Sequence, residues 1–224
     1  MTTALGPAPA SPRARRRRAD ILARAERLFA ERGFEATRLE DIALDVGIRR
    51  ASIVYYFPDK RALYDAVLAQ AIAPIERAIA AALQGDGAPR ERVERCVGAW
   101  VDAVAARPTF VQLLLREMAS SPDVAPPALA RHVGGIDRVV RAFVRELRAR
   151  GDGFPSPLDP ASFADAIVGA TVFRLTPLAR VVRAAQGDHD DDPARHRREV
   201  LRITRRLLAP DAGDAHEDAD ERSR

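Results

Sequence analysis

Apolar positions recur at three- and four-residue spacings along almost the whole chain. Ile21, Leu22, Ala25, Leu28 and Phe29 fall at i, i+1, i+4, i+7 and i+8 and predict a helix over about 16–32 that Gly33 stops. Two short helices follow, over about 39–45, stopped at Gly47, and about 50–56, ended by Pro58. A fourth starts near Asp59, carries Leu63, Val67 and Leu68, and either kinks or breaks at Pro74. Beyond Gly85-Asp86-Gly87, apolar stripes predict helices over about 89–106, 108–119 and 126–149. After a break at Gly151–Pro155, two more span about 160–185, with a distortion at Pro177, and about 194–208. Period-two clusters of Val, Ile and Thr are missing, so the pattern predicts an all-α chain of about nine helices and no sheet.

Composition narrows the class. With 224 residues, 47% of them hydrophobic, the chain has enough apolar surface for a real core. It has no long uncharged apolar run and no apolar stretch behind its basic N-terminus, so neither a membrane span nor a secretory signal is expected. The lone cysteine, Cys96, can form neither an internal disulfide nor a Cys-rich zinc site, and reads as a small core residue. A cytoplasmic protein is expected. Residues 1–15 read as a disordered basic arm and 210–224 as a disordered acidic tail.

Charge adds a direction. The net charge is only +4, but residues 13–18 hold five arginines, and this asymmetry between ends suggests a polyanion for the basic end. On charge alone, a solvated, Arg-biased surface is the plainer reading.

The informative stretch runs from Thr37 to Lys60. Two short helices must cross steeply around the turn at Gly47, where a positive φ is expected. Ala43 is small where the backbones approach, and Ile42, Val46, Ile48, Ile53 and Phe57 are placed to seal the angle. This is the pattern of a helix-turn-helix over about 39–58. Its second helix presents Arg49, Arg50, Ala51, Ser52, Val54, Tyr55 and Tyr56 outward, a set able to bond base edges and phosphates and to touch a thymine methyl. Lys60, the single lysine, begins the next helix, where an ammonium could meet a phosphate. The Arg15–Arg18 run, including Arg17 and Arg18, could follow the DNA backbone or enter the minor groove.

The residues Ile21-Leu22, Leu28-Phe29-Ala30-Glu31-Arg32-Gly33-Phe34, Thr37, Asp41-Ile42-Ala43, Gly47-Ile48, Ser52-Ile53, Tyr55-Tyr56-Phe57-Pro58-Asp59-Lys60 and Leu63 closely resemble the N-terminal domain of the TetR/AcrR family of bacterial transcriptional regulators. The match covers roughly residues 16–70 without a gap. Arg49, Ala51 and Val54 depart from the family's commonest residues, all at outward positions, so base preference does not transfer. The resemblance implies a DNA-binding domain over 16–62 and a helical domain over 63–209 for effector binding and dimerisation. It implies that Arg38 contacts backbone or base, that Arg50, Ala51 and Ser52 read the major groove, and that Tyr55, Tyr56 and Lys60 hold phosphates. The implied function is a homodimeric repressor, released from a pseudo-palindromic operator by a small molecule.

In the same frame the helices over about 160–185 and 194–208 would pair with their two-fold mates, although their stripes suit an intrachain core equally. Trp100, Phe110, Leu114, Met118, Phe143 and Phe173 are candidate effector-pocket residues, against the plainer reading as ordinary core. Arg116 and Glu117 could orient a polar ligand or simply pair on the surface. No cofactor, metal site or catalytic residue is expected. His132, His189, His196 and His216 are scattered, the acids around His189 read as solvated loop, and phosphate-loop, HExxH and Gly-x-Ser-x-Gly motifs are missing. Three alternatives stay open: an activator or protein-controlled regulator of the same fold, a sequence-independent DNA-packaging protein, and a helical enzyme.

Overall fold

The computed structural model describes residues 11–120, 127–187 and 192–208, with the backbone alone at 117–120, 127–129 and 131–133. Among the described residues all regular structure is helical, in ten helices. They are α1 (Pro12–Ala36), α2 (Leu39–Val46), α3 (Arg50–Tyr56), α4 (Lys60–Gln84), α5 (Pro89–Ala105), α6 (Pro108–Ser120), α7 (Pro127–Ala149), α8 (Pro160–Arg174), α9 (Pro177–Ala185) and α10 (Pro193–Leu207).

Three boundaries differ from the pattern-based expectation. The first helix starts at Pro12, so Arg13 and Arg15, assigned above to a disordered arm, are helical. Ser11 caps it, its hydroxyl accepting from the Ala14 N–H at 3.2 Å, and Pro12 stands at the first helical position, where its missing N–H costs nothing. Gly33 interrupts α1 at φ 83° and ψ 170°, although the assigned helix runs on to Ala36. The stretch 160–185 is two helices, because Thr176 caps a new start, its Oγ1 accepting from the Ala179 N–H at 3.1 Å ahead of Pro177.

At Pro74 the chain neither breaks nor leaves a carbonyl idle. Proline cannot donate to the carbonyl four residues back. That carbonyl, of Gln70, instead accepts from Arg107 Nη1 at 2.9 Å, and α4 runs as one helix of 25 residues. By length and hydropathy α4 meets the composition test for a membrane span, contrary to the reading of the sequence, because its Glu76 and Arg77 do not offset so many apolar residues. Half of that apolar window is buried within the protein, and Leu63, Tyr64, Val67, Leu68, Ile72 and Ile75 are core residues.

The chain forms two compact units: Met1–Pro74 with Arg107–Gly134, and Ile75–Ala106 with Gly135–Arg224. In the first unit α6 lies on α1. Thr109 Oγ1 donates to Glu26 at 2.7 Å, and Arg116 donates to the carbonyls of Ala30 and Glu31 at 2.8 and 2.7 Å. Arg116 thus supplies donors to α1 carbonyls just ahead of the Gly33 break, where helical partners run out. Phe29, Phe34 and Tyr64 cluster behind it, with Phe29–Tyr64 and Phe34–Tyr64 centroids 5.0 and 4.9 Å apart, edge to face.

In the second unit Arg92, 4% exposed, ties three helices together. It donates to the Leu83 carbonyl at the end of α4 and to both oxygens of Glu146 on α7, at 2.8 and 2.9 Å, and lies 4.7 Å over the Phe143 ring. Helix α10 runs along α5 through Arg197–Asp102 (2.8 Å) and Arg205–Glu94 (2.9 Å), over a seam of Val97, Val101, Val200 and Thr204.

Candidate nucleic-acid interface

The corner formed by α2 and α3 is built from the inside outward. Thr37, fully buried, donates its hydroxyl to the carbonyls of Gly33 at 2.7 Å and Leu28 at 3.3 Å, which sets the entry to α2. Asp41 accepts from the Arg38 backbone N–H at 3.3 Å and caps the first turn. Gly47 takes φ 72° and ψ 39°, a conformation that glycine reaches without the Cβ penalty, and lets Ile48 N–H close onto the Ala43 carbonyl at 2.9 Å. Ile53 and Phe57 are buried, pinning the inner face of α3.

Arginine–carboxylate pairs hold the helices from outside. Arg27 Nη2 bonds both oxygens of Asp45 at 2.7 and 2.8 Å, joining α1 to α2, with Arg24 at 3.6 Å. The Arg27 hydrogen bond, ahead of a smaller opposing desolvation, holds the Asp45 carboxyl below its usual range.

The outer face of α3 matches the expected list closely. Arg49, Arg50, Ala51, Ser52, Val54 and Tyr55 are exposed, and Tyr56 is half-buried with its ring 5.1 Å from that of Tyr55. Arg38 is exposed where α2 begins. Among the described residues, no ion pair is found for Arg38 or Arg49. Arg50 has one, its Nε 2.9 Å from Glu40 on α2. The pair is open to water on both sides, so it orients the guanidinium cheaply and releases it easily.

Two expected contacts have other partners here. Lys60 donates to the carbonyls of Phe34 at 2.8 Å and Glu35 at 3.2 Å and lies 4.4 Å over the Phe34 ring. Its ammonium therefore fastens the start of α4 to the end of α1. Arg18 is half-buried 5.0 Å over the Phe57 ring, where desolvation lowers its pKa. Arg17 is half-buried as well, while Arg13, Arg15 and Arg16 are exposed on the first turns of α1. Periodicity had pointed to none of the Glu40–Arg50, Arg27–Asp45 or Thr37 bonds. An Asp or Glu on α2 opposite arginines was the available signal, and it names no pairing.

The candidate effector residues divide. Phe110 is buried and Leu114 half-buried in the first unit; Phe143 is buried and Trp100 half-buried in the second. Phe173 is 47% exposed on α8 and lines no interior. The side chains of Met118 and Glu117 lie outside the described residues, as do those of His132, His189 and His216. Arg116 donates to the carbonyls of Ala30 and Glu31 on α1. The Cys96 thiol is pushed up to about 12 by burial, as fits a core residue.

The family model "Bacterial regulatory proteins, tetR family" matches residues 21–67. The transcriptional regulator RutR of Escherichia coli K12 is 37% identical over 98 residues, 44% of this chain and 46% of RutR. IcaR of Staphylococcus aureus, a negative regulator of a biofilm operon, is 42% identical over 45 residues, 20% of this chain and 24% of IcaR. The chain thus spans less than half the length of these curated relatives. Solved structures extend the likeness in fold. PfmR of Thermus thermophilus aligns with TM-score 0.62 at 20% identity over 84% of this chain and 93% of its own. A tetR-family regulatory protein of Rhodococcus RHA1 gives 0.66 at 21% over 86% and 97%. AibR, solved with isovaleryl coenzyme A and operator DNA, gives 0.61 at 16% over 84% and 97%. With residues 21–67 matched by the tetR family model and its helical fold shared nearly end to end with solved tetR-family regulators, the chain carries a TetR-type DNA-binding domain within a TetR-like helical fold.

Proposed function

We propose that the chain is a homodimeric, sequence-specific DNA-binding regulator, a repressor that leaves its operator when a small molecule binds. The carrying observation is α3: a seven-residue helix locked from behind by Ile53 and Phe57, with Arg49, Arg50, Ala51, Ser52 and Tyr55 turned to solvent. A rigid helix with exposed arginines and a hydroxyl suits the major groove, and a free apolar Val54 suits thymine. Arg38 and the exposed arginines of α1 add phosphate contacts.

Pairing is supported by the second unit. Val168, Phe173, Leu178, Val181, Val182 and Ile203 on α8, α9 and α10 are 38–65% exposed. So many large apolar side chains on the terminal helices fit a self-complementary interface through 160–185 and 194–208. Two copies then read a pseudo-palindrome. The sign of regulation follows IcaR, named a negative regulator, and ligand control follows AibR, solved with an acyl-coenzyme A and operator.

Selection of the full chain against random duplexes tests this reading. Recovery of one short inverted repeat, with affinity falling steeply with salt, supports it. Equal binding to every duplex at physiological ionic strength, or a monomer by analytical ultracentrifugation at micromolar concentration, refutes it.

A further inference from the structure

Helix α10 carries six arginines in fifteen residues, and they divide by side. Arg197 and Arg205 reach back to α5 through Asp102 and Glu94, and Val200 and Thr204 are buried along the same seam. Arg198, Arg202 and Arg206, spaced i, i+4 and i+8, form an exposed stripe. Arg202 is two residues from both Val200 and Thr204, about 160–200° round the helix, so the stripe lies on the side away from the seam. It spans about 12 Å at 1.5 Å per residue. Like charges four residues apart repel along a helix, and the acids at hand offset little of this. Asp192 stands 3.6 Å from Arg198 and Glu199 3.5 Å from Arg202, both pairs open to water. Arg206 has no ion pair among the described residues. Ile203, assigned above to the pairing of two copies, sits about 100° round the helix from Arg202. The arginine stripe and the apolar flank are therefore different sides of α10.

The chain itself supplies a counterpart. Residues 211–221 hold six acids, Asp211, Asp214, Glu217, Asp218, Asp220 and Glu221, and neither lysine nor arginine. This segment lies outside the described residues, which end at Leu208, the C-cap of α10. Only Ala209 and Pro210 separate it from that cap. Fully extended, Asp211–Glu221 covers about 33 Å at 3.3 Å per residue, so a return along the stripe needs only part of its length. Pro210 and Gly213 are residue types that turns favour. So short a tether gives the acids an effective concentration on the order of millimolar, which a dilute free polyanion does not match. Helix α7 has a second set of exposed arginines, Arg138, Arg141 and Arg145. There Arg141 already bonds both oxygens of Asp137, at 2.9 and 2.7 Å, and α7 does not adjoin the acidic segment in sequence.

We propose that the acidic segment Asp211–Glu221 folds back along α10 and docks on Arg198, Arg202 and Arg206, an internal competitor that keeps this second basic face off nucleic acid. The consequence is specificity. Each arginine that meets a phosphate adds affinity without regard to sequence, and a basic face other than α3 adds it on every duplex alike. With α10 covered, binding is left to the base-reading helix. The competitor role rests on the DNA-binding reading above; the docking itself does not.

Full-length protein tests this, with circular dichroism to check that each variant keeps its helices. In one variant the six acids become amides: Asp211→Asn, Asp214→Asn, Glu217→Gln, Asp218→Asn, Asp220→Asn and Glu221→Gln. A fluorescein-labelled peptide of residues 209–224 is titrated onto it at about 0.15 M ionic strength, where exposed charges more than about 8 Å apart are screened. Saturable binding is expected. Adding Arg198→Gln, Arg202→Gln and Arg206→Gln should weaken it at least about ten-fold, and the equal charge loss of Arg138→Gln, Arg141→Gln and Arg145→Gln on α7 less than about two-fold. If the α10 triple variant unfolds, Arg206→Gln alone should weaken the peptide about two- to three-fold. A scrambled duplex then reads the consequence by anisotropy. The amide variant should bind it at least about ten-fold tighter than the wild type, and the α10 substitutions should abolish that gain. No saturable peptide binding, equal weakening by the α7 set, an unchanged affinity for the scrambled duplex, or a gain that survives the α10 substitutions overturns the proposal. Peptide binding needs no duplex, so a chain that selects none refutes the regulator reading and leaves the docking to be decided by the peptide.

Discussion

The Arg107–Gln70 bond at Pro74 allows a sharp test of how α4 stays whole. Removing Arg107 should leave the Gln70 carbonyl, at 2.9 Å from its Nη1, without a donor in a half-buried position. Hydrogen bonds to charged groups are worth about 1.5–3 kcal/mol when buried, and partial exposure of Arg107 lowers this to about 1–2 kcal/mol for Arg107→Met. Pro74→Ala changes the context. An alanine N–H at position 74 can donate to the same carbonyl through the ordinary helical bond, and the ring clash disappears. In that background Arg107→Met should cost less than about 0.5 kcal/mol, a coupling near 1 kcal/mol across the double-mutant cycle. Urea unfolding of all four proteins, followed by helical circular dichroism, measures it, provided the denaturant slopes agree. An equal cost of Arg107→Met in both backgrounds would show that Arg107 acts by some route other than replacing the missing proline donor.

Three further outcomes are expected. Arg50→Ala should lower affinity for the selected duplex and relax its base preference, by about 1–3 kcal/mol of discrimination. Glu40→Gln, which frees Arg50 from its 2.9 Å partner, should raise affinity for all duplexes alike; both are read by fluorescence anisotropy on matched and scrambled duplexes. The Asp45 carboxyl is lowered chiefly by its hydrogen bond from Arg27. It therefore stabilises the fold above the ordinary aspartate pKa, and that contribution is lost as pH falls through its depressed value. Asp45→Asn should flatten the acid limb of a melting-temperature profile below about pH 4. Thr37→Val, which keeps volume but leaves the Gly33 carbonyl without its 2.7 Å donor, should cost about 1–3 kcal/mol and weaken duplex binding, as checked by thermal melting and anisotropy.

The helices were legible because their cause is local. A 3.6-residue apolar stripe, a glycine able to reach positive φ at position 47 and a proline after Tyr56 act within a few residues of themselves. They fixed the helix-turn-helix and the outward identity of α3. The Ser11-Pro12 start was equally local, but the arginines behind it looked like solvated arm. Thr176-Pro177 was a cap and first helical residue that read as a mere distortion.

Partners across the fold were not legible, because a side chain's destination depends on which helix folds back beside it. Lys60 stands where a phosphate contact was expected, yet its ammonium is held by carbonyls 25 and 26 residues earlier. Arg116 meets α1 across 85 and 86 residues, and Arg107 reaches the Gln70 carbonyl 37 residues away. Phe173 and Phe143 are both aromatics at helical spacing, and only the packing of α8 and α7 leaves the first exposed and buries the second under Arg92. By itself, then, the sequence determined the order of helices, the helix-turn-helix and its reading face, since these follow from short-range sterics and periodicity. Tertiary structure decided which charges are bound internally, how the helices group into two units and which aromatic side chains are buried, since these depend on neighbours brought together by the packing of distant helices.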